Sequence, residues 1–440
     1  MNKFSDDNHE EIKQKMNNII LLLFNYSTKN SLINSTGTSN NIIGHKGKDE
    51  KLKLIFKKKI ISNLSSINLN KIKNEEYQIF NKLYKFENKE KLIYNFGKII
   101  YFSYKKNFPE IFNLKGKKFT CDSGWGCMIR CSQMILARGL YKYFKRIGFS
   151  TKYSLIHSTE FFLENPFPFE KMPDNFINMM NYFLQIWYEN HKNENIFIQS
   201  IYPPFSIKNI CLVGRICNKD VGEWFSDVNM CFIFKLINEN FQLLKNLKIF
   251  TFQSYIKLND IINECFVKEC NLFQQNDFIE NKGEKYYFQK TGIIFVSIRI
   301  GINVVSEEYY KSLRELFLCK YCLGIIGGKE RLAYYFIGYD NKGNLLYLDP
   351  HNTNESQIKF DENVLIQNYL IKNIYSIPIN KITSAFTIGF YFRNGKEFME
   401  LVNFLENYVK QEFPCFILSE HDNDTINIDN NELMNDIDDF

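Results

Sequence analysis

Residues 293–300, Ile-Ile-Phe-Val-Ser-Ile-Arg-Ile, form an almost unbroken apolar run that is typical of a strand buried inside a sheet. We expect this strand to end at Gly301. Residues 334–339 and 345–348 predict two further strands, and the turn-forming sequence Asp340-Asn-Lys-Gly343 between them predicts a tight connection. The sheet should therefore contain an antiparallel hairpin late in the chain.

Helical patterns alternate with these strands. Residues 127–145 carry apolar side chains at the spacing that places them on one face of a helix. These side chains are Leu136, Ala137, Leu140 and Phe144. Residues 306–318 and 395–409 also predict helices. Because helices and strands are mixed along the chain and the hairpin is antiparallel, we predict an α+β fold.

Composition divides the chain into three parts. Residues 1–95 are dominated by Asn, Lys, Ser and Ile, which predicts a largely mobile low-complexity extension with some packed pieces. Residues 96–420 are dense in aromatic side chains and predict the folded domain. Residues 421–440 are acidic and rich in Asn, which predicts a disordered tail.

Charge and cysteine content exclude several classes of protein. The 55 basic and 49 acidic residues nearly balance, and no basic block is interleaved with aromatics, so nucleic-acid binding is not expected. The 11 cysteines are odd in number and irregularly spaced, which favours a reducing compartment over a disulfide framework. The first residues are too polar for a signal peptide, and the apolar run 19–24 is far shorter than the roughly 20 residues of a membrane span. We expect a cytosolic protein.

His351 is the histidine with the best claim to chemistry among the 6 in the chain. It follows a predicted strand in the sequence Tyr347-Leu-Asp-Pro-His351. Side chains two residues apart in an extended segment project to the same side, and Pro350 biases Asp349 toward an extended backbone. The Asp349 carboxylate could therefore orient and charge the His351 imidazole. A chance occurrence of Asp-Pro-His is the alternative.

Cys127 is the candidate nucleophile. In Cys121-Asp-Ser-Gly-Trp-Gly-Cys127 two glycines permit a tight turn, and the predicted helix begins at Cys127 itself. A thiol at a helix N-terminus faces unpaired N–H groups and the positive end of the helix dipole, which favour the nucleophilic thiolate. The alternative is a cysteine that only packs on the helix, and Cys131, one turn later, is the expected example.

Other motifs carry less weight. Cys319-Lys-Tyr-Cys322 is a lone C-x-x-C, and as a zinc site it lacks half of the ligands. The glycines of residues 324–329 do not have the spacing of a phosphate-binding loop, and the H-E-x-x-H pattern of zinc proteases is absent from the sequence.

Several segments, in one order, resemble the autophagins, cysteine proteases that act on a ubiquitin-like autophagy modifier. The segment around Cys127 resembles the nucleophile motif of that family, and the segment that ends at His351 and Thr353 resembles its second conserved block. The matching segments are Tyr104-Lys-Lys-Asn-Phe-Pro109, Gly124-Trp-Gly-Cys-Met-Ile-Arg130, Pro204-Phe-Ser-Ile207, Gly222-Glu-Trp-Phe225, Leu323-Gly-Ile-Ile-Gly-Gly-Lys329, Tyr335-Phe-Ile-Gly-Tyr339 and Tyr347-Leu-Asp-Pro-His351. The resemblance extends from about residue 98 to 418.

The resemblance implies a papain-like α+β core with a small extra subdomain and a Cys–His–Asp triad. Cys127 would attack the scissile carbonyl, His351 would serve as base and then acid, and Asp349 would hold His351 in position. Tyr104 would share stabilisation of the oxyanion with the backbone N–H of Cys127.

Trp224 and the loop of Gly327, Gly328 and Lys329 match family elements that cover the cleft. Such a cover would admit only a thin, extended tail, which suits cleavage after glycine. Core packing is the alternative role for Trp224. Glu330-Arg331 follows the loop where the family commonly has Pro-Asn, so its contacts can differ.

By resemblance the protein would cleave a ubiquitin-like autophagy modifier after its C-terminal glycine and release the modifier from phosphatidylethanolamine. This chemistry needs no metal and no organic cofactor, and membrane contact would come only through the lipidated substrate. The acidic segment near Phe440 lacks the aromatic-x-x-aliphatic docking motif of many family members. Two alternatives are a papain-like transferase or glycanase with the same triad, and a binding module that holds the modifier without turnover.

Overall fold

The computed structural model covers the 440-residue chain and describes part of it. The described residues are 76–85, 99–146, 205–241, 244, 246–268, 277–281, 283–355, 371 and 373–419. The polar stretch before residue 76, the tail after residue 419 and the segment 147–204 lie outside them. The predictions made for a mobile N-terminal extension and a disordered C-terminal tail therefore fall almost entirely on residues outside the described part.

The described chain forms seventeen strands and six α-helices. The strands are β1 (Glu76–Ile79), β2 (Lys82–Lys85), β3 (Lys105–Phe112), β4 (Lys118–Cys121), β5 (Leu247–Gln253), β6 (Tyr255–Lys257), β7 (Phe266–Lys268), β8 (Phe278–Asn281), β9 (Glu284–Phe288), β10 (Thr291–Val304), β11 (Cys322–Lys329), β12 (Leu332–Asp340), β13 (Leu345–Leu348), β14 (Asn354–Glu355), β15 (Tyr375–Ile377), β16 (Thr383–Phe392) and β17 (Ile417–Ser419). The helices are α1 (Cys127–Arg146), α2 (Ile207–Gly214), α3 (Asp227–Phe241), α4 (Leu258–Cys265), α5 (Tyr310–Glu315) and α6 (Gly395–Tyr408).

A nine-stranded mixed sheet organises the fold. Its main path has the strand order β15-β13-β12-β11-β16-β10-β5, and β1 and β2 continue from β12. Within this sheet, all neighbouring strands are antiparallel except β10 and β5, which are parallel. The helices predicted at 127–145 and 395–409 and the β12–β13 hairpin are present, and within 306–318 a short α-helix lies between two 3-10 turns. The α+β prediction is confirmed.

Strand β10 is buried on both faces, as its apolar run predicts. Ile293 and Phe295 belong to the core formed with α1, α2 and α3, whereas Ile294 and Val296 belong to the core on the opposite face with α4, α5 and α6. The predicted end at Gly301 is wrong, because the strand continues to Val304. Gly301 adopts a φ of +122° where the pairing with β16 shifts register, and this glycine absorbs the irregularity without ending the strand.

The β1–β2 hairpin joins the sheet from within the range predicted to be an N-terminal extension. β1 pairs with the last residues of β12, beyond the part of β12 that pairs with β11. The turn residue Phe80 donates its N–H to the Ile337 carbonyl oxygen, at 2.9 Å. The guanidinium of Arg138, on α1, lies 3.2 Å from the centre of the Phe80 ring. The hairpin is therefore attached both to the sheet and to the helix beneath it.

Gly338→Ala is expected to detach this hairpin from β12. A Cβ atom at Gly338 would lie 1.9 Å from the carbonyl oxygen of Gln78, so one of the two strands has to move. We expect the free energy of unfolding to fall by about 1–3 kcal/mol. Amide hydrogen exchange in residues 76–85 should accelerate. Gly116→Ala is the control for a strained glycine substitution away from the hairpin, because a Cβ there meets nothing within 4 Å although the φ of +75° disfavours alanine. Equal exchange in residues 76–85 of the two variants would contradict the prediction.

Smaller sheets complete the described structure. β14, β3 and β4 form a three-stranded sheet, β7, β9 and β8 form a second three-stranded sheet, and β17 pairs with β6. The first of these lies beside the start of α1 and carries the segments that position the candidate site. None of the helices in the described ranges combines the length and the apolar character required to cross a membrane.

Candidate active site

A tight turn delivers Cys127 to the start of α1. Strand β4 ends at Cys121, and Asp122 then accepts hydrogen bonds at its carbonyl oxygen from the N–H of Trp125, at 3.3 Å, and of Gly126, at 2.8 Å. Gly124 has a φ of +88°, a conformation that favours glycine. A Cβ at Gly126 would lie 2.7 Å from the Asp122 Cβ, so only glycine fits without a shift. The two glycines thus place a buried thiol at a helix N-terminus.

The end of β13 delivers Asp349 and His351 to the same place. The Nδ1 atom of His351 lies 2.5 Å from Oδ1 of Asp349, and the backbone N–H of His351 donates to the same oxygen at 3.0 Å. The hydroxyl of Tyr101 donates to the Asp349 carbonyl oxygen at 2.6 Å. The Asp349 carboxylate therefore holds the Nδ1 edge of the imidazole. The backbone of Asp349 is itself fixed by the bond from Tyr101.

The electrostatics of this pair favour an imidazolium. Burial by itself lowers the pKa of His351, but the hydrogen bond and the charge of Asp349, together with the Cys127 thiol, raise it to about 9. Burial by itself raises the pKa of Asp349, but the hydrogen bonds from His351 lower it below its usual value. At neutral pH the pair is therefore a carboxylate and an imidazolium.

The other ring nitrogen of His351 is the one available to Cys127. Its Nε2 atom is buried and makes no hydrogen bond within the part of the chain that the structure describes. Cys127 is nevertheless among the groups that raise the pKa of His351. Since Nδ1 is held by Asp349, Nε2 is the ring nitrogen left for the thiol.

Two tyrosines enclose the imidazole. The rings of Tyr104 and His351 meet edge to face at 5.4 Å, and those of Tyr334 and His351 do so at 5.9 Å. Burial raises the pKa of Tyr104, and the adjacent Cys127 raises it further. The Tyr104 hydroxyl is therefore a neutral hydrogen-bond donor next to the thiol.

Ser103 and Tyr104, just before β3, connect the turn that carries Cys127 with the segment that carries His351. The N–H of Tyr104 donates to the Pro350 carbonyl oxygen at 2.8 Å, and the Tyr104 carbonyl oxygen accepts from the N–H of Asn354 at 2.9 Å. The Asn354 side chain donates to the Ser103 hydroxyl at 2.6 Å. Ser123, in the turn before Cys127, shares a 2.8 Å hydrogen bond with Thr353. The backbone around His351 is thus bonded directly to the segment that carries Tyr104.

Asp122 and Arg130 form a buried pair beneath the turn. The Nε atom of Arg130 lies 2.5 Å from Oδ2 of Asp122, and both side chains are at most 2% exposed. The N–H of Lys105 donates to Oδ1 of Asp122 at 2.6 Å. The sequence patterns did not indicate a role for this pair or for Tyr334. The position of Asp122 in a tight, glycine-containing turn could have predicted its role, because aspartate commonly accepts hydrogen bonds from backbone N–H groups in turns.

The structure corrects the predicted glycine loop. Gly327, Gly328 and Lys329 do not form a loop; they are the last residues of strand β11, paired with β12. The turn consists of Glu330 and Arg331, and Arg331 has a φ of +59°. The physical reason is close backbone approach: a Cβ at Gly328 would lie 1.8 Å from the Leu332 carbonyl oxygen, so the glycines allow a narrow hairpin.

The position of this hairpin is set by its register. Tyr335 of β12 pairs with Leu348 of β13, so the register places residues 332–334 of β12, with their β11 partners 327–329, beyond the end of β13 and level with residues 349–351. Trp224 lies in the loop before α3 and is 36% exposed. That loop contacts the site indirectly: Phe119 fills the space beside Gly222 and meets the Trp125 ring at 5.8 Å. The exposure of Trp224 does not support a purely structural role in the core.

Cys131, Cys319 and Cys322 are buried thiols. Burial raises the pKa of Cys131 well above its usual value, and it raises the pKa of Cys319 to about 12 and of Cys322 to about 11. These thiols are protonated at neutral pH and poor nucleophiles. Across the described ranges, His, Cys, Asp and Glu side chains do not form a group of three or more that could hold a metal ion.

Comparison with known proteins places this geometry in context. Residues 89–404 match the family model of the peptidase C54 catalytic domain. The chain is 26% identical over 341 residues to cysteine protease ATG4C of Xenopus laevis, an alignment that covers 72% of this chain and 71% of the relative. It is 25% identical to cysteine protease ATG4B of Gallus gallus over 366 residues, with 76% and 81% covered. It is 24% identical to cysteine protease ATG4A of Homo sapiens over 347 residues, with 74% and 76% covered.

Proposed function

This chain belongs to the peptidase C54 family, the autophagin cysteine proteases with a papain-like fold, and from that premise we propose that Cys127, His351 and Asp349 are its catalytic triad. The observation that carries the proposal is that Asp349, 2.5 Å from Nδ1, and Cys127 act on the same imidazole, whose pKa both of them raise. Nucleophile, base and orienting carboxylate then stand in the order that acyl transfer through a thiol requires.

In the acylation step the Cys127 thiolate attacks the carbonyl carbon and forms a C–S bond. The carbonyl oxygen becomes an oxyanion, which accepts hydrogen bonds from the Tyr104 hydroxyl and the backbone N–H of Cys127. The intermediate then collapses, the C–N bond breaks, and Nε2 of His351 gives its proton to the leaving amine.

In the deacylation step water attacks the thioester, and Nε2 of His351 takes the proton from that water. Collapse of the second intermediate breaks the C–S bond and releases a carboxylic acid, which gives its proton to solvent, and the Cys127 thiolate beside the His351 imidazolium. Throughout the cycle Asp349 keeps Nδ1 of His351 protonated and the ring in one orientation.

The proposed substrate is a ubiquitin-like autophagy modifier, cleaved after its C-terminal glycine. The family supports this substrate class, and the position of the β11–β12 hairpin fits it. The hairpin residues Gly327, Gly328 and Lys329 lie at the level of residues 349–351, and the partly exposed Trp224 belongs to the loop that packs on Phe119 near the nucleophile turn. A passage bordered by such elements admits an extended tail, and a glycine at the scissile bond avoids a Cβ clash.

The same site would also deconjugate the modifier from phosphatidylethanolamine. The bond between the glycine carboxyl and the lipid amine is an amide, so the same attack by Cys127 and the same protonation of the leaving amine apply to it. The lipidated substrate would bring the enzyme to the membrane. A cytoplasmic location fits both substrate forms, and the odd number of 11 cysteines is typical of a reducing compartment.

The substrate proposal predicts that the purified protein releases the extension from a modifier precursor and leaves glycine as the new C-terminus. Intact mass spectrometry measures the cleavage position. A precursor with valine in place of that glycine should be cleaved at least about 10-fold more slowly, because a branched side chain at the scissile residue disturbs the attack geometry. Modifier linked to phosphatidylethanolamine in vesicles tests the second activity in the same assay.

Ubiquitin with the same C-terminal extension is the control and should not be cleaved. Tight binding of the precursor without cleavage would favour the binding-module alternative. If the protein neither binds nor cleaves the precursor while its thiol is still acylated by small esters, the modifier is rejected as substrate. That outcome would favour the alternative transferase or glycanase.

A further inference from the structure

Asp122 is the buried charge that links the nucleophile turn to the segment of Tyr104. The carboxylate is fully buried and lies five residues before Cys127, outside the proposed triad. Its two oxygens bind groups from different parts of the site: Oδ1 accepts from the N–H of Lys105 at 2.6 Å, and Oδ2 lies 2.5 Å from Nε of Arg130. Lys105 follows Tyr104, and Arg130 is in the first turn of α1.

The backbone of Asp122 makes the same connection. Its N–H donates to the Lys105 carbonyl oxygen at 3.2 Å, so Asp122 binds both peptide groups of Lys105. Its own carbonyl oxygen accepts from Gly126, the residue before Cys127, at 2.8 Å. A single residue is therefore bonded to the immediate chain neighbour of Tyr104 and to the immediate chain neighbour of Cys127.

Burial of this ion pair needs a reason beyond stability. Removing a carboxylate and a guanidinium from water costs several kcal/mol for each ion, and apolar side chains of the same volume often serve stability equally well. A charged acceptor gives short, directed hydrogen bonds, and these fix geometry better than apolar contacts do. Here the directed bonds lead from Asp122 to the two segments whose separation determines the distance between the Tyr104 hydroxyl and the Cys127 thiol.

We propose that Asp122, held by Arg130, is a positioning residue that sets the Tyr104 hydroxyl at the place where the oxyanion develops. This inference rests on the proposed function, because it assigns Tyr104 to the oxyanion. Asp122 acts through Tyr104 and does not touch the substrate. Loss of one oxyanion donor costs about 10²–10³ in rate in other proteases, and a displacement of about 1 Å can cost about 10².

Asp122→Asn is the substitution that tests this role. Asparagine has the same shape, but its amide NH₂ must face either the Lys105 N–H or the Arg130 Nε–H, and both are donors. One of the two bonds is therefore lost, and the segment of Tyr104 loses part of its fixation. Two small probes of Cys127 separate the consequences. Acylation by p-nitrophenyl acetate passes through an oxyanion, whereas alkylation by iodoacetamide forms none.

We expect Asp122→Asn to slow acylation by about 10- to 100-fold and to leave alkylation of Cys127 within about 3-fold of wild type. Tyr104→Phe should have the same signature. In the double variant, acylation should be no slower than in Tyr104→Phe alone, within about 3-fold, because the two residues act on one donor. If the double variant is slowed by the product of the two single effects on acylation, Asp122 acts independently of Tyr104 and the proposal is overturned.

Asp340→Asn is the matched control. Asp340 is also a buried aspartate that accepts backbone N–H bonds, from Lys342 at 3.0 Å and Asn344 at 2.9 Å, but it lies at the opposite end of β12 from the site. It should lower the melting temperature without slowing acylation. If Asp122→Asn slows alkylation as much as acylation, it disturbs the Cys–His pair or the fold, and the positioning role is wrong.

Arg130→Lys is the second variant, for the case that Asp122→Asn does not fold. It keeps a cation near Asp122 but lacks the directed Nε–H bond, so we expect slower acylation with unchanged alkylation; unchanged acylation would overturn the proposal. Both probes are independent of the natural substrate. Failure to cleave the modifier would therefore reject the substrate proposal, whereas a wrong pattern in these two reactions would reject the role of Asp122.

Discussion

Cys127→Ala is expected to abolish hydrolysis of the modifier, with a loss of about 10³-fold or more. The thiol is the atom that forms the bond to the substrate, and the residual activity of hydrolases that have lost a triad member comes only from binding and the oxyanion site. The measurement is the rate of release of the C-terminal extension at substrate saturation. Binding of the precursor should persist, because alanine removes one sulfur atom and adds no bulk.

Cys131→Ala is the matched control for this prediction. Cys131 lies one turn further along α1, is fully buried, and has a pKa that burial raises well above the usual value. Its removal should cost some stability and leave turnover of the folded protein close to wild type. Mass spectrometry after brief exposure to iodoacetamide should find the label at Cys127 and not at Cys131. Retained cleavage in Cys127→Ala would reject the assignment of the nucleophile.

Asp349→Asn is expected to lower kcat by about 10³- to 10⁴-fold, the order of magnitude seen when the aspartate of a Ser–His–Asp triad is replaced by asparagine. The carboxylate lies 2.5 Å from Nδ1 of His351 and keeps the proton on that nitrogen. An asparagine amide can instead donate to Nδ1 and favour the wrong tautomer. The effect should fall on kcat more than on KM, because Asp349 does not contact the substrate.

The pKa of His351 also predicts the direction in which the pH dependence of activity changes in this variant. In the wild type, burial lowers the pKa of His351, but Asp349 and Cys127 raise it to about 9, so the imidazolium persists at neutral pH and activity is lost as the pH rises through about 9. Without the Asp349 charge, only Cys127 opposes the effect of burial, so the pKa of His351 falls. The alkaline limb of kcat/KM should therefore move to lower pH in Asp349→Asn. NMR titration of His351 is the direct check, and an unmoved midpoint would contradict the role of Asp349.

Much of the candidate site could be predicted from the sequence because its information is local. Gly124, Gly126 and Cys127 are neighbours in the chain, and steric limits on the turn make them recognisable together. Asp349 and His351 are two residues apart at the end of a strand, so the period of an extended backbone brings them together. The helix at 127–145 and the strands at 334–339 and 345–348 were confirmed for the same reason, since their apolar periods are local patterns.

The contacts that were missed or wrong depend on residues far apart in the chain. The hydrogen bonds from Asp122 to Lys105 and from Tyr104 to Pro350 join segments whose separation in the sequence carries no periodic signal. Gly327 and Gly328 were predicted in a loop because they match a family element that covers the cleft, but the close approach of β12 explains them. Gly301 was predicted to end β10, and the register shift against β16 gives it a different role.

The sequence by itself determined the chemistry of this protein: a thiol at the start of a helix, an imidazole beside a carboxylate, and the alternation of apolar residues that makes an α+β fold. Only the tertiary structure decided how these groups meet. The segment of Tyr104 bonds to Asp122 on one side and to Pro350 on the other, and this brings the thiol and the imidazole to one place. The physical reason is that residue type and local spacing set what a group can do, whereas the distance between groups is set by long-range pairing and packing.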